Sequence, residues 1–281
     1  PELTPTLARM AAARQRDFRK PLRWFSIGQF FRYERHQKGR GREFYQFNCD
    51  ILGEDSVIAD AELVALSIDL MRELGFTKED FRIRLSDRNA WVEFASRSGV
   101  AEGSLSTFLQ IIDKIGRIPE DKTNEQLTAL GLSLDAVKAF MQSGPEASDS
   151  LAEILVNLEF RGLSEYVEVD LSIVRGLAYY TGPVFEIFDI GKGMRAVAGG
   201  GRYDQLVQLI GSVDMPACGF AMGDMVITDL IRETEAPAQK LEAAVMERSS
   251  IDFYLVVADS ERAGEAVGVA QLLRGAGYRV T

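Results

Sequence analysis

A chain of 281 residues, 46% of them hydrophobic, is long enough to bury one large core or a large domain with smaller ones. Two cysteines, Cys49 and Cys218, and a single histidine exclude a Cys/His zinc site and a disulfide framework and favour a reducing cytosol; no apolar run is long enough to span a bilayer, and no signal peptide is expected. The net charge of −10 speaks against nucleic acid, yet ten Lys/Arg between Arg14 and Arg42 stand against only Asp17 and Glu34, a basic segment that either holds polyanions or is a solvated face.

The chain opens on Pro1-Glu2-Leu3-Thr4, which reads as a helix N-terminus with Thr4 capping Leu7 to Ala13. From Trp24 to Gly53 two alternating arms flank a polar loop, the pattern of an antiparallel hairpin. Residues two apart share a face, so Arg32 sits beside Glu34, while Phe44, Gln46, Asn48 and Asp50 line one face of the second arm. The loop places Lys38, Arg40 and Arg42 around Gly39 and Gly41, a cationic arm suited to polyanions.

Asp55 precedes an amphipathic helix with apolar Val57, Ile58, Ala61, Val64, Ala65, Ile68 and Met71, closing at Gly75. Phe81 to Leu85 alternates like a strand. Residues 89–162 carry helical segments broken by Gly99, Gly116, Pro119, Gly131 and Gly144-Pro145, and read as a helical insertion. Glu168 to Val174 is a predicted strand delivering Arg175, whose planar charge suits a carboxylate and a phosphate together. On an extended backbone Tyr179 and Tyr180 would point to opposite sides.

Val184 to Ile190 and Met194 to Ala198 read as a hairpin. Gly199-Gly200-Gly201 follows, permitting close backbone approach to a ligand but lacking the Lys-Ser/Thr of a phosphate-binding P-loop, and Arg202 to Asp204 are expected to open a helix. Pro216 to Ile231 reads as a strand ending at Gly223 and an apolar helix. Glu233 to Gln239, with Pro237, is a predicted linker before a short helix, Lys240 to Met246. A strand at Ile251 to Ala258, a helix at Glu261 to Arg274 and a strand from Tyr278 form an α/β unit that needs parallel partners.

Several of these stretches together resemble one family. Phe31 to Asp50 is similar to motif 2 of class II aminoacyl-tRNA synthetases in its histidyl-tRNA synthetase form. Arg175 to Gly182 resembles that family's RGLDYYTG segment, Gly199 to Asp204 its GGGRYDxL, Pro216 to Ile231 its motif 3, and Pro1 to Thr4 its PE-x-T. In that family motif 1 and much of the dimer contact precede PE-x-T, so more chain is expected before Pro1. Two positions depart from the pattern: Ala178 replaces an aspartate, and Val226 an arginine that stacks on adenine.

The resemblance implies an α+β fold: a class II antiparallel sheet with flanking helices, divided as catalytic domain (1–88 and 163–232), helical insertion (89–162), linker (233–250) and the start of an α/β anticodon-binding domain (251–281). It implies activation of histidine with ATP and Mg2+ to histidyl-adenylate and transfer to tRNA(His), by a cytoplasmic homodimer. Arg32 and Arg175 would be catalytic. Arg32, Glu34, Arg40 and Phe44 would bind ATP, with Phe44 against adenine, and Arg35, Lys38 and Arg42 would bind tRNA. Glu2, Thr4, Gln46, Asp50, Arg175, Tyr179 and Tyr180 would bind histidine. A second class fits too, the synthetase-like regulatory subunit of ATP phosphoribosyltransferase, which binds histidine without aminoacylating tRNA. A generic RNA-binding module accounts for the basic loop but not for Arg175 or the triple glycine.

Overall fold

A computed structural model describes residues 2–33, 35, 39–249 and 251–281. They form two compact units, 1–234 and 235–281. The alternation around Trp24 to Gly53 gives β1 (Leu22–Phe31) and β2 (Glu43–Leu52), paired antiparallel with Phe30 opposite Phe44 and Trp24 opposite Asp50. In chain order the first unit contains α1 (Thr4–Arg14), β1, β2, α2 (Val57–Glu73) and β3 (Phe81–Asp87). Five helices follow: α3 (Arg88–Arg97), α4 (Leu105–Ile112), α5 (Glu120–Thr128), α6 (Leu134–Met141) and α7 (Asp149–Phe160). It ends with β4 (Val167–Val169), β5 (Pro183–Asp189), β6 (Ala198–Arg202), α8 (Leu206–Gly211), β7 (Ala217–Gly223) and α9 (Asp224–Arg232). The fold is thus α+β, a seven-stranded sheet in the order β1-β2-β7-β6-β5-β3-β4, antiparallel except for the β3–β4 pair at one edge.

The sheet buries both faces. Against one lie α2, α7 and the helices of the 89–162 segment, with Ile83, Leu85, Ile187, Phe220 and Met222 of the sheet meeting Ile68, Met71, Ile154 and Leu158. Trp91 is fully buried in that core, its indole Nε1 donating to Leu171 O at 2.8 Å, which ties the helical segment to the chain just before Arg175. On the other face α1 and α8 cover Leu22, Leu52, Val184 and Ala217. The alanines of α1 let it approach closely, since a Cβ added at Gly211 would lie 2.1 Å from Ala12 Cβ. The outer face of β1 leaves Phe25, Ile27 and Phe31 64–72% exposed.

Four sequence expectations change in the first unit. The strand expected at Glu168 to Val174 stops at Val169, because Asp170 Oδ1 accepts from the Ser172 N–H (3.0 Å) and hydroxyl (2.6 Å), a side-chain turn that ends the ladder. Gly199 to Arg202 belong to strand β6, so Arg202 closes a strand instead of opening a helix, and the expected strand at Met194 is connecting chain. Thr4 is the first residue of α1 and makes no cap; Leu3 holds the cap position and Pro5 the first turn.

In the second unit, α10 (Glu235–Ser249) replaces the expected linker and short helix, since Pro237 falls in the first turn, where its missing N–H costs no helix bond. α11 (Ala263–Gly275) follows. The two expected strands run side by side around a parallel bridge between Phe253 and Val280, where Phe253 N–H donates to Arg279 O at 3.1 Å and Leu255 N–H to Thr281 O at 2.8 Å, and among the described residues they form no named strand.

Where β6 leaves the sheet, Arg202 is buried. It donates to Asp60 Oδ2 from Nε (2.9 Å) and Nη2 (2.5 Å), to Asp204 Oδ1 (2.9 Å), and to the carbonyls of Glu54 and Ser56. Burial pushes the Asp60 carboxyl up to about 6 even though the Arg202 charge pulls it down. With the folded pKa above the unfolded one, the stability tied to this carboxyl is full below about pH 3.8 and is lost as pH rises through about 6. Arg202→Met should therefore cost about 3–5 kcal/mol at pH 7, where it strands a buried carboxylate, and clearly less near pH 4. Urea titrations of both proteins across that range check it; a loss independent of pH would contradict the ion-pair account.

Candidate active site

On one face of β6 and β7 the side chains almost vanish. Gly199 pairs with Ala221 and Gly201 with Gly219, and Gly223 continues the row. On one flank β2 sets Gln46 opposite Gly223, Asn48 opposite Ala221 and Asp50 opposite Gly219. On the other, β5 sets Glu186 opposite Gly199 and Val184 opposite Gly201. Directly opposed residues of a ladder share a face, so Gln46, Asn48 and Asp50 on one side and Glu186 with the buried Val184 on the other flank a floor almost without side chains, roughly 14 Å apart at three strand spacings.

The floor exists to admit Arg175. A Cβ added at Gly199 would lie 1.7 Å from Arg175 Nη1, so the guanidinium rests on the glycine. Arg175 reaches that position from a left-handed backbone, φ 54°, a conformation that costs energy for a residue with a Cβ. Its Nη1 donates to Glu186 Oε1 at 2.9 Å, and both side chains are about one-fifth exposed. Burial raises the Glu186 carboxyl, opposed by the charges of Arg175 and Arg117.

Arg175 opens onto a cavity of about 890 Å³ that also takes in Arg32, Arg40, Phe44 and Gln46, so five expected residues come together there. Arg117, Arg195, Asp113 and Glu186 join them, making five arginines against two carboxylates, a balance that suits a polyanion. Arg32 Nε donates to Gly41 O at 3.2 Å, and its guanidinium sits 4.3 Å from the centre of the Phe44 ring. Phe44 also stacks on Phe30 at 5.8 Å and is only 6% exposed.

A second cluster adjoins the floor. Tyr203 donates its hydroxyl to Asp50, and Tyr179 donates to the Glu2 carboxylate. The Tyr179 ring lies 5.0 Å from Tyr180 and 5.9 Å from Tyr203. The two adjacent tyrosines thus share one cluster instead of pointing apart, because Ala178 and Tyr179 form a turn and the backbone is not extended. Burial raises the Tyr180 hydroxyl; Arg175 opposes, while Glu2, Asp50 and Glu186 push the same way as burial, so all four charges reach this phenol. Burial likewise pushes Asp50 up to about 6 against the Tyr203 hydrogen bond. Beside it, Asn48 Oδ1 is buried with no hydrogen-bond partner among the described residues.

Other expected residues of the described chain lie elsewhere. Thr4 opens α1 and is not among the residues lining the cavity. Arg35 is exposed, and Arg42 stacks its guanidinium 5.0 Å over Tyr33, outside the lining. Glu34 and Lys38 lie outside the described residues. Ala178 falls at an exposed turn position. Of the lining residues not expected from sequence, Glu186 had a signal, a carboxylate inside the apolar run Val184 to Phe188, and Arg195 stands just before the glycines. Asp113 and Arg117 follow a helix of ordinary amphipathic pattern and had none. Among the described residues no helix is long and apolar enough to cross a membrane.

A sequence profile of histidyl-tRNA synthetases matches residues 1–225. The histidine–tRNA ligase of Opitutus terrae is 39% identical, with 100% of this chain aligned to 67% of that protein. The chloroplastic/mitochondrial histidine–tRNA ligase of Arabidopsis thaliana is 38% identical over 100% of this chain and 59% of its own length. The chain therefore spans about three fifths to two thirds of these relatives. Among solved structures, a histidyl-tRNA synthetase from Nostoc sp. PCC 7120 superposes with TM-score 0.74 at 24% identity, over 98% of this chain and 68% of that one. An ATP phosphoribosyltransferase regulatory subunit/histidyl-tRNA synthetase from Bacillus halodurans C gives 0.75 at 22%, over 100% and 73%. These two share the fold.

The glycines of the floor differ in what they must avoid. A Cβ at Gly199 meets the movable end of Arg175, whereas one at Gly200 lies 2.2 Å from Gly219 O and 2.5 Å from Phe220 Cβ in the neighbouring strand. Gly200→Ala is expected to lower stability by about 1–3 kcal/mol or more, and Gly199→Ala by clearly less while expelling Arg175 from its contact with Glu186. Thermal unfolding of both variants and a crystal structure of the second check this. Equal losses, or an undisturbed Arg175, would mean the floor is not shaped for that guanidinium.

Proposed function

The chain belongs to the histidyl-tRNA synthetase family, and from that premise we propose that its cavity activates histidine with ATP and passes the histidyl group to tRNA(His). The observation that carries the reading is Arg175, held by Glu186 over a floor without side chains at the mouth of an arginine-rich cavity. A carboxylate oxygen of histidine attacks the α-phosphorus, the bond to the β,γ-diphosphate breaks, and pyrophosphate departs with the electron pair. A ribose hydroxyl at the tRNA 3′ end then attacks the acyl carbon, the bond to the adenylate oxygen breaks, and AMP leaves with that electron pair, the hydroxyl proton passing to its phosphate. The protein forms no bond to substrate in either step; it positions the reactants and offsets charge.

Arg175 bridges the histidine carboxylate and the α-phosphate, and Arg32 takes the other side of that phosphate. Arg40 reaches the distal phosphates, where Mg2+ enters as counter-ion of the substrate. Phe44 contacts the base, which requires Arg32 to leave its ring on ATP binding. Glu2, Thr4, Gln46, Asp50, Tyr179 and Tyr180 surround the amino acid. A proton-hungry carboxyl at Asp50, next to the phenol cluster, suits an imidazole N–H. Glu34 completes the ATP contacts, and Arg35, Lys38 and Arg42 meet tRNA. The exposed Phe25, Ile27 and Phe31 of β1 support a homodimer that covers them, and the protein works in the cytoplasm. Residues 1–88 and 163–232 act as catalytic domain, 89–162 as an insertion contacting tRNA, 233–250 as a connector and 251–281 as part of an anticodon-binding domain. The regulatory-subunit reading is not favoured, because curated relatives at 33–39% identity carry ligase names.

The protein, extended to the length of its relatives, is expected to exchange labelled pyrophosphate into ATP only when histidine is present. Histidine binding with exchange at background would turn the assignment to the regulatory subunit. In the same assay Arg175→Ala should lower turnover about 10²–10³-fold, the loss typical of one transition-state charge contact, and weaken histidine binding far less. Arg175→Lys should restore only part, since an ammonium cannot bridge two oxygens in a fixed plane. Histidine affinity falling as much as efficiency, with turnover number unchanged, would make Arg175 a binding group alone.

A further inference from the structure

At one end of the cavity Val226, in the first turn of α9, stands at the position where the family pattern has the arginine described above. Three separate segments converge there. Gly39, from the chain between β1 and β2, has φ 71° and comes so close that a Cβ on it would lie 3.0 Å from Val226 Cγ2 and 3.8 Å from Arg195 Cδ. Gly41 makes the neighbouring contact, its Cβ direction 3.5 Å from the Met225 sulfur. Arg195 arrives from the connection between β5 and β6 and lines the same cavity, with its Cδ and the valine Cγ2 both within 4 Å of the Gly39 Cβ direction. On the ladder, Phe44 stands one step beyond the Gln46–Gly223 pair, on the same face and toward the point where β7 gives way to α9.

We propose that Arg195 is the nucleotide-binding residue that takes over the role vacated at position 226, presenting its guanidinium to the base of ATP from a different strand connection. A guanidinium needs only to reach a π face within about 6 Å, and its plane stacks there in a way an ammonium does not. Whether the group is carried by α9 or by the β5–β6 connection is immaterial to the base, provided both stems start from the same rim, and the Gly39 contacts put them there. The glycine at Gly39 belongs to the same arrangement: its φ of 71° and the 3.0 Å approach to Val226 favour a residue without Cβ, while Arg195 Cδ lies at ordinary contact distance. This rests on the synthetase reading of the cavity and adds a residue to it.

The test is ATP binding by calorimetry, with adenosine and inorganic tripolyphosphate as separate probes, in the protein extended to its relatives' length, followed by pyrophosphate exchange. Arg195→Ala is expected to weaken ATP and adenosine by about 10- to 30-fold, to raise the KM for ATP equally, and to leave tripolyphosphate affinity and the KM for histidine unchanged. Arg195→Ala/Val226→Arg is expected to recover ATP affinity, because removing one stem frees room for the other. Unchanged ATP binding in Arg195→Ala overturns the proposal, as does a loss confined to tripolyphosphate, which would make Arg195 a phosphate contact. A double variant no better than the single one overturns the shared role. Should Arg195→Ala fail to fold, Arg195→Gln carries the same measurements. Wild-type protein that binds ATP but shows no histidine-dependent exchange would sink the synthetase reading alone, leaving Arg195 to be judged by the binding data; absence of ATP binding would sink both.

Discussion

Everything at the site depends on Arg202. Three successive glycines give β6 no side chains with which to hold itself against its surroundings, and a strand of that composition is ordinarily weak. The buried guanidinium supplies the missing anchor, gripping Asp60 of α2, two carbonyls before that helix, and Asp204, which in turn accepts from the Ala217 N–H at the start of β7. One side chain thereby fixes β6 to a helix on one side and to its neighbouring strand on the other. A buried pair of this kind contributes little net stability and much positional definition, which is what a floor of bare backbone requires.

With the floor fixed, the site divides by chemistry. Arg32, Arg40, Arg117, Arg175 and Arg195 gather at the cavity, while Asp50, Glu2 and the phenols of Tyr179, Tyr180 and Tyr203 gather beside it. Arg175 belongs to both halves, over the Tyr180 ring at 5.7 Å and bonded to Glu186. A reaction that joins an amino acid to a nucleotide needs a charge at that junction. Five arginines against two carboxylates line the cavity of a chain whose formal net charge is −10, a contrast that favours a polyanion there over the rest of the surface.

Much of this was legible in the residues. The alternation of Phe44, Gln46, Asn48 and Asp50 predicted a shared face, and the ladder places all four on one side of β2. The resemblance of Arg175 to Gly182 and of the triple glycine singled out segments that do meet in space. Legibility failed where meaning depends on partners distant in sequence. Glycine in a row is ambiguous between a loop and a strand until β5 and β7 close on both sides of it. The extended run before Arg175 ended early because Asp170 found a local hydrogen bond that competes with the ladder. Arg117 reaches the cavity only because Trp91 and its neighbours pack the helical segment onto the sheet, and nothing in the local pattern of α4 encodes that.

The bare floor also alters the entropy of whatever rests on it. A conventional pocket must freeze the torsions of its lining residues when a ligand arrives, at about 0.5–1.5 kcal/mol for each long side chain. Gly199, Gly201, Gly219, Ala221 and Gly223 have no such torsions to freeze. The ordering cost falls on the walls alone, and among these Arg175 is already held by Glu186. Affinity at this site is consequently open to adjustment from residues that never touch a ligand, through how firmly they immobilise the remaining long side chains before it comes.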